Sequence, residues 1–352
     1  MPTAIVTGAS GQDGYFLVRK LLAEGLTVHA LALSAEGLAE ELSDGISTGE
    51  LHVHENNLLD SEGLIDLFSS VKPTEFYNLA GQSSVAQSFA EPRVTWRTNT
   101  EVVSRLLECL RTKAPLTKFY QSSSTDMFGF RPGGAVVHNE DSALNPQSPY
   151  ASAKGAAHLL CRTYREAYGL RVACGILSNH ESHRRGPQFL SSKIVAHVKR
   201  LRAGEKLPPL AMGNLKIERD WGYAPDYLDG MVLILRQIAA RARHFSRAAE
   251  EDHGRNYRDY VLSSGQTHAV WQMADRAFAL SGFGLEWHLG GEDPTQWHAV
   301  FKQTGETAVI VNASLLRPAD PLVIKADSSR SRNELGWQPR PGLDVFLSDM
   351  LR

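Results

Sequence analysis

The chain has 352 residues, 42% of them hydrophobic and 22% charged, enough for one large domain or two unequal ones around a sizeable core. Its 37 Lys and Arg against 39 Asp and Glu leave a net charge of −2, which argues against a nucleic-acid or membrane partner and leaves any ligand phosphate to local groups. Three cysteines without paired spacing read as buried free thiols rather than a metal or disulfide set. The opening MPTAIVTGAS lacks the pattern of a secretory leader and no uncharged run reaches membrane-spanning length, so a cytoplasmic protein is expected.

Thr3–Thr7 is a short apolar run ending in glycines, which predicts a buried strand entering a tight turn. Phe16, Leu17, Leu21 and Leu22 then recur at helical spacing over Gln12–Glu24, and Gly25 closes that helix. Strands are predicted at Leu26–Leu33, near Leu51–Val53, at Glu75–Leu79 and at Thr117–Ser122, with helices Ser61–Ser70 and Asn99–Arg111 between them. A helix from Pro149 to about Tyr168 and a strand at Arg171–Leu177 complete the alternation. Strand–helix alternation with short links predicts an α/β fold, a Rossmann-type doubly wound parallel sheet covered on both faces. We expect this domain to span 1–178, with further strands from about 226–264, and a smaller α/β substrate-binding lobe to take 179–225 and 265–340. The charge-dense stretch Ala239–Arg258 reads as a solvated helix end and loop.

TGASGQDG at 7–14 sets Gly8, Gly11 and Gly14 between the first strand and the first helix. Glycines there let backbone approach a pyrophosphate at a helix N-terminus, which predicts a dinucleotide site. A 2′-phosphate usually meets Arg at the end of the second strand, and a free 2′-hydroxyl meets an acid. This strand ends Leu31-Ala32-Leu33-Ser34 and offers neither, with Glu36 slightly beyond, so the residues leave NADP and NAD both open.

SPYASAK at 148–154 puts Tyr150 and Lys154 four apart on one face of a helix start. A tyrosine, with an ordinary pKa of about 10, becomes a usable base beside an ammonium and a positive nicotinamide ring. Upstream, SSSTDMFG at 122–129 follows a strand, so its hydroxyls fall at the sheet's carboxyl edge. Together with the glycine turn, these residues resemble the extended short-chain dehydrogenase/reductase family, in which Ser or Thr, Tyr and Lys act as a unit. Ser124 matches the substrate-orienting hydroxyl. Asp126 stands where the family's 4,6-dehydratases carry a Glu that takes a proton from sugar C5.

Longer stretches resemble the GDP-mannose 4,6-dehydratase branch: NLAGQSSVAQSF at 78–89, GILSNHESHRRG at 175–186, MGNLKIERDWGYAPDY at 212–227, SSGQTHAVWQMADRAF at 263–278 and LLRPAD at 315–320. The resemblance implies that Ser124, Asp126, Tyr150 and Lys154 are catalytic. It implies a cofactor, NADP by the family's habit, held by Gly8, Gly11, Gln12, Asp13, Gly14, Asn57, Leu58, Leu79, His180 and Arg185 as well as by Tyr150 and Lys154. A GDP-sugar would meet Ser84, Asn179, Lys193, Arg219, Arg317 and Asp320. Arg184 and Arg185 would lie on a loop reaching cofactor across a subunit interface, in a homo-oligomer, dimer or tetramer. No metal is implied.

The implied reaction is redox-neutral: Tyr150 takes the C4 hydroxyl proton as hydride leaves C4, Asp126 removes the C5 proton as water leaves from C6, and hydride returns to C6. An epimerase or 4-reductase acting on a related GDP-sugar is the competing reading, and a non-catalytic cofactor-binding homologue a third. The sequence departs from the branch at Asp126 (for Glu), Ser124 (for Thr), Leu33 and Ser34 (for two Arg), Asn57 (for Asp), Val94 (for Tyr) and Asp320 (for Glu), which suggests a diverged member.

Overall fold

A computed structural model of the chain describes residues 2–59, 61–129, 137–241, 257–316, 322–340 and 342–352. The first half runs β1 (Thr3–Thr7), α1 (Gln12–Ala23), β2 (Thr27–Ala32), α2 (Leu38–Ser43), β3 (Glu50–Glu55), α3 (Ser61–Val71), β4 (Glu75–Asn78), α4 (Val85–Ala90), α5 (Pro92–Trp96), a π-helical turn at Arg97–Glu101, α6 (Val102–Lys113) and β5 (Lys118–Ser124). A 3-10 turn at Thr125–Phe128 leads to β6 (Val137–His138), α7 (Pro149–Tyr168), β7 (Val172–Leu177), β8 (Asn179–Glu181), α8 (Leu190–Arg202), β9 (Leu210–Met212), β10 (Glu218–Tyr223) and α9 (Ala224–Arg241). The remainder is β11 (Tyr260–Leu262), β12 (Thr267–Ala269), α10 (Val270–Leu280), β13 (Leu285–His288), β14 (His298–Phe301), β15 (Thr307–Val311), β16 (Val323–Ala326), α11 (Ser329–Leu335) and α12 (Leu343–Met350).

Seven of these strands form one sheet in the order β11-β7-β5-β4-β1-β2-β3, parallel throughout. The order reverses between β1 and β4, and ligands of such sheets bind at the carboxyl ends beside that reversal. One face buries Leu17 and Leu21 of α1 with Leu228, Met231 and Leu235 of α9. The other buries Leu64 and Phe68 of α3, Leu106 and Leu110 of α6, and Ala157 of α7. Phe68, Phe76 and Phe119 stack there at centroid separations of 4.9 and 5.3 Å. Each is fully buried, and burial of such a side chain contributes about 1.5–3 kcal/mol.

A third core gathers α8, α10 and α12 with the small sheet β13-β14-β15-β9. A further sheet, β12-β10-β16-β6, receives β8 against β10. That pairing sets Asn179 opposite Trp221 and His180 opposite Gly222, joining the end of the large sheet to this second one.

Several predicted boundaries move. The second strand stops at Ala32, and Leu33 lies beyond it, 77% exposed. The helix expected from Asn99 begins in register only at Val102, because Asn99 turns its side chain inward: Nδ2 donates to Thr95 O and Gln82 O, both at 3.0 Å, beside the π-helical turn. The strand expected to end at Ser122 continues to Ser124, held by β7 pairing through Leu177. Of the charge-dense stretch, α9 carries the chain to Arg241, and residues 242–256 lie outside the described ones.

Candidate active site

The site begins where β1 turns into α1. Gly8 has φ +71°, and a Cβ there would meet Ala80 N at 2.9 Å; a Cβ on Gly14 would lie 2.2 Å from Gly8 O. Only glycine lets helix, turn and the β4 end approach so closely. Gly11 caps α1 without contributing a side chain, so the first-turn amides face outward as a cradle for an anion. Thr7 braces the floor: its hydroxyl donates to Asn78 Oδ1 at 2.7 Å and accepts from Leu79 N and Ala80 N at 3.1 Å. These residues fit the pyrophosphate of a dinucleotide.

Gln12 and Asp13 face the strand that leaves the large sheet. Gln12 Nε2 donates to His180 O at 2.9 Å, and its Oε1 accepts from Ser182 at 2.8 Å. His180 Nε2 lies 3.0 Å from the Asp13 carboxylate. Burial alone would raise the Asp13 pKa, but His180, then Arg185 and Gln12, more than offset it, and the net shift is downward. The same pairing outweighs burial at His180 and raises its pKa. His180 also stacks on Tyr227 at 4.6 Å. The loop at 178–182 is thereby locked to the glycine turn across some 170 positions of sequence, |i−j| being 168 for the Gln12–His180 bond.

Ser148 caps α7, accepting from Ala151 N at 3.1 Å, and Pro149 occupies its first turn. Tyr150 and Lys154 thus project from the helix start, 8% and 7% exposed. Lys154 Nζ donates to Ser122 O at 2.9 Å and sits 5.9 Å from the Tyr150 ring centroid. Ser124, at the end of β5, stands near enough to Tyr150 to favour its phenolate, and it caps the turn bearing Asp126, accepting from Asp126 N at 3.2 Å. Burial, and after it the charge of Asp126, push the Tyr150 phenol above its ordinary pKa, while Ser124 and Arg185 oppose that rise. Burial brings Lys154 down to about 8. Asp126 therefore stands close enough to Tyr150 for the two negative charges to disfavour each other.

Asp126 also lines a small cleft with Thr125, Ser178, Asn179, Arg219 and Asp220, so Asn179 and Arg219 open onto the same space. Asp220, which the sequence reading did not single out, builds this floor. Its carboxylate accepts from Ser178 Oγ at 3.0 Å, Ser263 Oγ at 2.7 Å, Ser264 N at 3.0 Å and Gly265 N at 2.8 Å. Its only sequence signal was its place in RDWG.

Other expected residues are less tightly held. Lys193 is exposed on α8. Ser84 caps α4, accepting from Gln87 N at 3.2 Å. Asn57 is exposed, its side chain accepting from Leu59 N at 3.1 Å just after β3, and Leu58 packs partly against the α3 core. Arg184 pairs with Glu41 of its own chain and lies 4.2 Å over the Tyr15 ring. Arg185 pairs with Glu181 at 3.1 Å and lies over Phe189. Both guanidiniums expected at a subunit interface have partners within the chain. Arg317 and Asp320 lie outside the described residues. Among the described residues no helix is long and apolar enough to cross a membrane.

Solved structures of the same fold include RMD from Pseudomonas aeruginosa complexed with NADPH, at TM-score 0.73 and 21% identity over 100% of this chain and 98% of that one. Another is DesIV, a dTDP-glucose 4,6-dehydratase from Streptomyces venezuelae with NAD and TYD bound, at TM-score 0.73 and 22% identity over 99% and 96%. Curated relatives are more similar in sequence. The GDP-mannose 4,6-dehydratase of Vibrio cholerae is 33% identical over 99% of this chain and 92% of its own, and that of Cricetulus griseus 32% over 99% and 90%. The family profile of GDP-mannose 4,6 dehydratases matches residues 5–350. With a match of that extent, and with Tyr150, Lys154 and Ser124 brought together at the carboxyl end of the sheet, the chain belongs to the GDP-mannose 4,6-dehydratase family of extended short-chain dehydrogenases/reductases.

Proposed function

We propose that this enzyme converts GDP-mannose to GDP-4-keto-6-deoxymannose, with NADP as its cofactor. Nucleotide-sugar 4,6-dehydration is the chemistry of its family, and a nicotinamide cofactor goes with it. The observation that carries the reading is the placement of Asp126. It lies beside Tyr150 and Ser124, in one cleft with Asn179 and Arg219, so a second proton acceptor stands next to the group that deprotonates C4.

The chemistry a bound nicotinamide supplies is reversible hydride transfer. Tyr150 receives the proton of the C4 hydroxyl. Its burial and Asp126 both oppose the phenolate this requires. Lys154, protonated below about 8, favours it, as do the Ser124 hydroxyl and Arg185 nearby. Proton uptake leaves Tyr150 neutral, which removes the charge that Asp126 faces. Asp126 is then placed to take the C5 proton, made acidic by the new C4 ketone, and to pass it to the C6 hydroxyl as that leaves as water. Hydride returned to C6 and the proton held by Tyr150 returned to C5 complete the product. Like-charge coupling thus favours an order, Tyr150 first and Asp126 second.

Purified enzyme incubated with GDP-mannose is expected to yield the 4-keto-6-deoxy product by mass spectrometry, with no net change in nicotinamide absorbance over many turnovers. An epimer or a reduced sugar as the product would transfer the enzyme to the competing class, and no turnover on any GDP-hexose would remove it from this one.

A further inference from the structure

We propose that His158 is a positioning residue for Lys154, clamping the lysine-bearing turn of α7 to β5 one helical turn further along. The proposal rests on Lys154 as the lysine of the reaction. Lys154 and His158 stand one helical turn apart and bond to consecutive residues of the strand: Lys154 Nζ to Ser122 O at 2.9 Å, and His158 Nδ1 to Ser123 Oγ at 3.1 Å. Ser124, the hydroxyl that faces Tyr150, follows directly. The same short run of β5 therefore bonds two α7 side chains and sets a hydroxyl beside a third.

Behind His158 the clamp has an anchor. Its Nε2 faces Asp259 Oδ2 at 3.8 Å. Asp259 takes both guanidinium nitrogens of Arg165, at 2.7 and 2.8 Å, and accepts from Cys174 N at 2.9 Å. Arg165 also donates to Val172 O at 3.1 Å. Helix α7 is thus pinned to β5 and β7 at His158 and again at Arg165. Although burial opposes it, Cys174 and Asp259 raise the His158 pKa, which favours the ring as a donor on both sides.

An apolar core would ordinarily fill such a place, since buried ionic groups seldom stabilise more than well-packed hydrophobic ones. What the cluster offers is register. The Lys154 ammonium hangs at the end of a long stem, so a small rotation of α7 displaces it, and misplacement by about 1 Å can cost on the order of 100-fold in rate. The ligand atoms of His158, Cys174 and Asp259 lie within 4.8 Å of one another, a spacing a metal ion could use. Arg165 already occupies both Asp259 oxygens, which favours the clamp over a cation.

The test compares His158→Leu, which removes the donor, with His158→Gln, whose amide can still reach Ser123. Ser123→Ala removes only the acceptor and serves should His158→Leu not fold. On GDP-mannose, kcat is expected to fall about tenfold or more in His158→Leu and Ser123→Ala, with KM within about twofold and Gln restoring most of the loss. Independently of the sugar, ultraviolet difference titration of each cofactor-bound enzyme against its Tyr150→Phe partner reads Tyr150 ionisation. Its midpoint should rise by about one unit, a tenfold change, when the clamp is removed. A lower melting temperature with unchanged kcat and unchanged Tyr150 midpoint would overturn the proposal, as would stoichiometric metal in the purified wild type. Absence of turnover on GDP-mannose by the wild type would defeat the substrate assignment and leave the titration to decide the clamp.

Discussion

The two ends of the proposed dinucleotide site are built differently. At the proposed nicotinamide end Tyr150, Lys154, Ser124 and His180 are each less than a tenth exposed; Lys154 bonds the sheet beneath it, His180 bonds Asp13, and Ser124 caps the turn beside Tyr150. At the proposed adenine end Leu33 is 77% exposed, and Ser34 and Asn57 are exposed too, their side chains bonded, among the described residues, only to neighbours two residues away. The first end is a network, in which one substitution disturbs several partners. The second is a set of single contacts offered to solvent, where a side chain can change with little effect on the fold. The departures from the branch follow the same division. Changes at 33, 34 and 57 alter residue character, whereas those at 124 and 126 keep a hydroxyl and a carboxylate.

The largest effect should therefore come from the enclosed end. Asp126→Asn is expected to lower kcat on GDP-mannose by about 100-fold or more, the usual scale for loss of a general base, with nucleotide affinity unchanged. Single-turnover absorbance should then show reduced nicotinamide building up, because C4 is oxidised and dehydration stalls. Full turnover in this variant would remove Asp126 from the chemistry and leave Tyr150 as the only proton-transfer group of the pair.

The exposed end should respond less, and in affinity rather than turnover. Leu33→Arg puts a guanidinium at the end of β2, where a 2′-phosphate is met in this kind of fold. Binding of NADP+ should tighten about tenfold, roughly 1.4 kcal/mol, with NAD+ unchanged by calorimetry. Equal affinities before and after the change would mean that this position does not face the ribose.

Much of this contrast was legible in the sequence, and the part that was not has a common cause. The glycine turn, the Tyr150–Lys154 spacing and the run from Ser122 to Asp126 are local patterns, so strand-to-helix geometry alone fixes where they point. The link from Gln12 and Asp13 to His180, the Asp220 floor and the His158 clamp each join residues that are far apart in the chain, and nothing in one sequence pairs them. Hydrophobic spacing found the sheet strands but misplaced the start of α6, because the Asn99 side chain competes with the helical ladder there. The intrachain partners of Arg184 were equally invisible, since Glu41 and Tyr15 announce nothing by their spacing.

The smallest expected effect lies on β2 and β3, beneath the exposed end. His29 stacks on His52 at 4.7 Å and His54 at 5.1 Å, and His29 Nδ1 lies 2.9 Å from His54 Nε2. Burial first, then the charges of His52 and His54, bring its pKa from 6.5 down to about 4. The unfolded chain therefore binds more protons than the folded one between these values, and stability falls as pH drops from 6.5 towards 4. Above the unfolded value His29 is neutral in both states and this contribution vanishes. Between pH of about 7.5 and 5, the wild type should lose a few degrees more of melting temperature than His29→Leu, a difference that cancels the carboxylates common to both. Identical losses would place the acid sensitivity elsewhere than in this histidine stack.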